Sequence, residues 1–128
     1  MVEIKNAVEV VETPLKLVED LFRYDGALLL GVYQKEDGQK VIESWCDKDV
    51  DEVAAMSTYH YYTVPVSNED LESYKARELT LKAIIQKADE VVFEVITESD
   101  DESKSVFLKV KPEDFPEEYM PAEDSYCL

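Results

Sequence analysis

Glycine is scarce in this chain of 128 residues: Gly26, Gly31 and Gly38 are dispersed singly. A phosphate-cradling loop needs glycines clustered ahead of a helix, so the chain holds no nucleotide-binding motif. Histidine is scarcer still, with His60 alone. Together with Cys46 and Cys127 it falls short of the ligand set of a structural zinc site. Two cysteines, one inside an expected strand and one beside the C-terminus, define no disulfide framework. Long apolar runs are missing. The longest block covers residues 27–30 and continues past Gly31 to Val32 and Tyr33, far below the ~20 residues of a membrane-spanning helix. No leader pattern precedes it. These absences predict a soluble protein of a reducing, cytoplasmic compartment.

Positive charge is the other shortage. Thirteen basic residues face 30 acidic ones, a net charge of −17. The imbalance is spread out: residues 1–64 carry 13 acids and 6 bases, and residues 65–128 carry 17 and 7. Such a surface repels phosphates, which disfavours direct nucleic-acid binding and docking on anionic membranes. It suits a basic protein partner, including one that itself binds nucleic acid. The plainer alternative is that acidity keeps a small protein soluble.

What is present is enough to fold. Hydrophobic residues make up 45% of the chain, which fits one globular domain spanning 1–128 rather than a disordered segment. Residues 1–13 read as a short strand or a loose arm. Thr13-Pro14 could start a helix, but Leu15, Leu17 and Leu21 keep to one face of a strand across residues 15–24. Asp25-Gly26 is a hairpin turn. Residues 27–34 form the next strand, with Leu28, Leu29 and Leu30 implying cover on both faces. A turn at Glu36-Asp37-Gly38 leads to a third strand, residues 40–46, in which Val41, Glu43 and Trp45 share a face. Residues 47–57 read as a polar connection with room for one helical turn. In the following strand Tyr59, Tyr61 and Thr63 alternate with His60, Tyr62 and Val64, and Pro65 suits its end or an edge.

Ser67 and Thr80 then supply helix caps. Leu71 with Tyr74, and Leu81, Ile84, Ile85 and Ala88, recur at helical spacing, so two short helices with a bend near Glu78-Leu79 are expected. Residues 90–98 and 104–111 are the last two strands, joined by an acidic turn. Residues 112–128 hold three prolines, six acids and no base. They read as an acidic tail packed on the domain and pinned by Phe115, Tyr119, Met120 and Tyr126. The architecture expected is α+β: an antiparallel sheet of about five to six strands, with two short helices inserted after the fourth.

Some of these residues carry a resemblance. Tyr24-Asp25-Gly26, the leucine-rich strand, the turn at Gly38, Trp45 with Asp47, Val64-Pro65-Val66-Ser67 with Leu71, Leu79-Thr80-Leu81-Lys82 and the closing Phe115-Pro116-Glu117-Glu118-Tyr119-Met120-Pro121 resemble a family of small bacterial and phage proteins of unknown function. The likeness covers about residues 20–121. Ala27 stands where that family commonly has proline. The resemblance implies an α+β fold and a bacterial or phage-encoded origin. Its motifs are turns, caps and core strands, so it implies no activity.

A Cys46–His60 nucleophile and base would need the two side chains to adjoin, with a third group to orient them that the sequence does not reveal. Asp47, Asp49 and Asp51 begin like a calcium loop. Glu52 and Thr58 then occupy the places where glycine and glutamate are required. No catalytic, cofactor-binding or metal-binding residue is assigned. The leading expectation is a non-enzymatic acidic protein-binding module, an inhibitor or antagonist of a basic nucleic-acid-binding partner of the phage anti-defence or toxin-immunity type. Its expected surface is the turn acids Asp100, Asp101 and Glu102 with the tail acids Glu113, Asp114, Glu117 and Glu118, presented like phosphates. The rival is an accessory interaction domain using exposed tyrosines, Tyr59 and Tyr61. A Cys46/His60 hydrolase ranks third.

Overall fold

The computed structural model describes residues 3–121. Cys127, Tyr126 and the rest of the tail beyond 121 lie outside the described residues. Seven strands form one antiparallel sheet: β1 (Val8–Val10), β2 (Leu15–Tyr24), β3 (Ala27–Lys35), β4 (Lys40–Asp51), β5 (Met56–Val66), β6 (Val91–Glu98) and β7 (Ser103–Val110). Helices α1 (Asn68–Lys75) and α2 (Leu81–Lys87) stand between β5 and β6, and two single 3-10 turns (Pro112–Asp114 and Glu117–Tyr119) follow β7. The spatial order is β1-β7-β6-β5-β4-β3-β2. The fold is therefore α+β with an antiparallel sheet and two helices.

Two expectations need correction. The sheet has seven strands rather than five or six, and the helices follow the fifth strand rather than the fourth. The added strand is β1, too short to show a period. It exists because the free edge of β7 offers it a ladder, Val8 opposite Lys109 and Val10 opposite Phe107. The polar connection over residues 47–57 is also mostly strand. β4 runs on to Asp51 and β5 begins at Met56, paired from Asp51↔Met56 onward. The turn between them is set locally: the Asp51 carboxylate accepts from the backbone N–H groups of Val53 and Ala54, both at 3.1 Å.

The turns and caps follow from their residues. Asp25 and Gly26 both take positive φ, 50° and 82°, the combination a tight hairpin turn demands. The Ser67 hydroxyl accepts from the Asp70 N–H at 3.0 Å and the Thr80 hydroxyl from the Ala83 N–H at 3.1 Å. Arg77, at φ 63°, separates the two helices. Edge strand β2 carries register shifts between Leu17 and Glu19 and again near Phe22; such bulges blunt an edge against further pairing. Pro65 pairs with Val41, but the β5–β6 ladder stops at Thr63↔Val92, so its missing N–H costs β6 nothing.

The helices cover one face of the sheet. Leu71, Tyr74, Leu81, Ile84 and Ile85 pack there on Leu30, Val32, Ile42, Tyr62, Val64, Val91, Phe93 and Val110. Phe115, from the first turn after β7, completes an aromatic group with Tyr62 and Phe93, ring centroids 5.2 Å from each. Such edge-on and tilted contacts add to area burial.

The opposite face is concave, and the connectivity requires it. β1 lies on one edge of the sheet and β2 on the other. Six strand spacings in a flat sheet amount to about 29 Å. The step from Val10 to Leu15 reaches at most about 18 Å. The edges must therefore curl toward one another, with residues 11–14 bridging the opening. Val11, Glu12 and Thr13 line a cavity of about 380 Å³ with β3, β4, β5, β6 and β7.

Candidate functional site: the concave face of the sheet

Strand alternation decides which side chains enter this cavity. His60, Tyr62 and Val64 go to the buried face, so Tyr61 and Thr63 go to the other. By the same alternation β3 contributes Tyr33, β4 contributes Val41 and Glu43, β6 contributes Val92 and Glu94, and β7 contributes Phe107. The result is a groove with tyrosine and aliphatic walls and two carboxylates from strands that flank β5. Glu43 stands opposite Thr63 on β5, and Glu94 stands opposite Tyr61.

The electrostatics of the two acids are unusual for a surface glutamate. Burial pushes the Glu43 carboxyl up to about 7, and the nearby Glu94 charge adds to it. Glu94 is also pushed up, by burial first and by Glu12 of the bridging segment, while a hydrogen bond from Ser105 opposes the shift. Among the described residues Glu43 has no hydrogen-bond or ion-pair partner. The Tyr61 hydroxyl is pushed up by burial and then by Glu43 and Glu94, and that of Tyr33 by burial and then by Glu43. Burial is the first cause for each of these groups, and neighbouring carboxylates add to it.

Of the expected site residues, only Tyr61 lines this groove. Tyr59 lies next to it on the same face, half-buried, with the Lys48 ammonium 5.2 Å from its ring centroid. Asp100, Asp101 and Glu102 are exposed on the β6–β7 turn. Glu113 and Asp114 follow the other end of β7, where Asp114 accepts from the Asn6 amide at 3.0 Å. Glu117 and Glu118 are exposed on the second 3-10 turn. The two acid clusters are not brought together: strand β7 separates the turn from Glu113 and Asp114, so they form no continuous row. Glu43, Glu94, Tyr33 and Phe107 escaped the sequence reading. Glu94 carried a signal, being the one ionisable residue between Val91 and Thr97.

A second polar cluster lies on the helix-covered face. Asp47 accepts from His60 Nδ1 at 2.9 Å and from the Tyr119 hydroxyl at 2.8 Å. A carboxylate only accepts, so Nδ1 carries the hydrogen in this pairing. The Tyr119 ring lies 5.6 Å from the imidazole, and the trio ties the second 3-10 turn to the sheet. Cys46 sits where the β4–β5 register shifts. Its thiol is pushed up by burial and by the Asp47 charge. That holds it protonated, the reverse of what a nucleophilic thiol needs. No three His, Cys, Asp or Glu side chains among the described residues come together to hold a metal. No helix among them is long and apolar enough to cross a membrane.

Set against models of known families, characterised proteins and solved structures, the chain matches none.

Proposed function

We propose that this protein is a non-enzymatic binding module for a basic protein partner, acting as an antagonist of a nucleic-acid-binding protein in the manner of phage anti-defence or toxin-immunity proteins. The observation that carries this reading is the distribution of charge at one end of the sheet. The β4–β5 and β6–β7 tips lie side by side, since Ser57 pairs with Glu98. They present Asp51, Glu52, Asp100, Asp101 and Glu102. The bases nearby are engaged: Lys104 pairs with Glu102 at 3.4 Å and Lys48 lies over Tyr59. A row of this kind offers a basic groove the charge it otherwise finds in phosphates.

The test is charge reversal with a salt titration. A partner isolated from the host at low salt is expected to be basic, and to be displaced by duplex DNA. The triple change Asp100→Lys, Asp101→Lys and Glu102→Lys should weaken its binding at least about tenfold and flatten the salt dependence. Reversing Glu113, Asp114, Glu117 and Glu118 separately measures the share of the second cluster. Affinity unchanged in both variants would overturn the reading.

The rival, an accessory interaction domain that uses tyrosines, is favoured by one observation of its own. Tyr33 and Tyr61 wall a groove rather than filling the core.

A further inference from the structure

We propose that the concave face is a seat for one organic cation, the side chain of an arginine or lysine on a basic protein partner, held with its stem between Tyr33 and Tyr61 and its charged head at Glu43 and Glu94. The inference deepens the reading of a basic partner by giving one of its charges a defined site, and it can fail while that reading stands.

Three observations converge on it. The first is shape. The cavity of about 380 Å³ is lined by Val11, Glu12 and Thr13 of the bridging segment as well as by five strands, so an occupant meets more than a flat sheet. The second is the lining. Tyrosine rings with Val41, Val92 and Phe107 suit an aliphatic stem, and aromatic faces attract a cation that has shed its water. The third is charge. Glu43 has no ion-pair or hydrogen-bond partner among the described residues, yet it is half-buried and faces a second carboxylate. Two acids turned into one groove are a cost to the free protein. A cation between them would remove it.

An anionic or purely apolar occupant fits worse. An anion would meet Glu43, Glu94 and Glu12 together. An apolar one would bury those carboxylates without compensation. The bases at the rim do not neutralise the groove. Lys109 is engaged by Glu90 at 3.6 Å, and Lys35, which also lines the cavity, is a single charge against Glu12, Glu43 and Glu94. A guanidinium matches paired carboxylates better than an ammonium does, because its planar fork donates in two directions. Arginine is therefore expected to bind the tighter of the two.

The pH response follows from the groups around Glu43. Burial and Glu94 on β6 favour its protonated form, Glu12 on the bridging segment does the same for Glu94, and the tyrosine hydroxyls of β3 and β5 stay neutral. A bound cation favours the ionised form. Binding should therefore strengthen as pH rises through about 7 and release a proton within that window.

The experiment uses the full chain and a short uncharged-backbone peptide carrying one arginine, with the citrulline peptide as its neutral isostere. Titration calorimetry at pH 8 should show binding of the arginine peptide, at least about tenfold weaker binding of the citrulline peptide, and a similar loss in Glu43→Gln. Ring resonances of Tyr33 and Tyr61 should shift on titration. Repeating the titration near pH 6.5 in buffers of different ionisation heat should reveal the released proton. Equal binding of the two peptides, or full affinity in a folded Glu43→Gln variant, would overturn the inference. So would a loss that follows only reversal of Asp100, Asp101 and Glu102, which would leave the partner reading intact at the strand tips. Tight binding of free putrescine without binding of the peptide would overturn the assignment to a protein side chain.

Discussion

Glu43 is a residue that works against the stability of its own fold. Its carboxyl is raised from 4.5 to about 7 in the folded chain. Between those values the folded state holds the proton more firmly than the unfolded state. Stability contributed through this group therefore falls as pH rises across that window, and the penalty is complete above about 7. At about 1.4 kcal/mol per unit of pKa, the penalty is on the order of 2 kcal/mol once partial solvent contact is allowed for. Replacing Glu43 with glutamine should accordingly raise the melting temperature at pH 8, by several degrees, and raise it much less near pH 5. Thermal melts at the two pH values check this, and a gain independent of pH would show that charge is not its source. A substitution that stabilises the fold while abolishing ligand binding is the pattern of a group kept for function. Glu43 was hard to foresee. It occupies the polar slot of an alternating strand, which reads as an ordinary solvent-facing acid. Only the curl of the sheet turns that slot into a groove. Glu94 was more visible, because an acid in the middle of Val91, Val92, Phe93, Val95 and Ile96 conflicts with its surroundings. His60 and Asp47 lie in separate strands, and the register shift at Cys46 that pairs them has no sequence signature.

At the scale of elements, local chemistry was legible wherever one residue type answers one backbone need. The caps at Ser67 and Thr80 and the turn at Asp25-Gly26 are examples. Elements that exist through a partner were legible at most as one of two alternatives, as β1 was when residues 1–13 read as a short strand or a loose arm. β1 is three residues long and stands on the edge of β7. The far ends of β4 and β5, with Asp47, Asp49 and Asp51, are strand because each has a paired neighbour, although their composition says loop. Helix α2 separates the two kinds of cause. Its seven residues are too few to be stable alone. Leu81, Ile84 and Ile85 hold it to the sheet, each at most 2% exposed. The Thr80 hydroxyl fixes where it starts. Thr80→Ala should leave the packing in place and cost about 1 kcal/mol, the usual worth of such a cap. A urea titration should show a lower midpoint with an unchanged slope. An unchanged midpoint would mean that packing alone positions the helix.

For the whole molecule, attraction between neighbours competes with repulsion among all the acids. The exposed ion pairs, Lys75 with Glu19, Lys87 with Asp70, Lys104 with Glu102 and Lys109 with Glu90, lie between 2.9 and 3.6 Å. Each is worth about 0–1 kcal/mol, and salt weakens them. Against them stands a net charge of −17 that remains after every base is counted. Folding gathers those carboxylates into a smaller volume, so their mutual repulsion opposes the compact state, and salt relieves it. Repulsion involves many uncompensated acids at once, while each attraction is local and already small. The relief should therefore exceed the loss. The melting temperature should climb steadily as sodium chloride rises from about 10 to about 300 mM, over which the screening length drops from about 30 Å to well under 10 Å. Scanning calorimetry across that series decides the point, and a flat or falling temperature would show that the ion pairs outweigh the net charge. The same screening should loosen a basic partner from the strand tips. Salt would then stabilise the free protein and weaken its complex, so the two curves would run in opposite directions. A complex held instead by apolar contacts at Tyr59 and Tyr61 would show the first effect without the second.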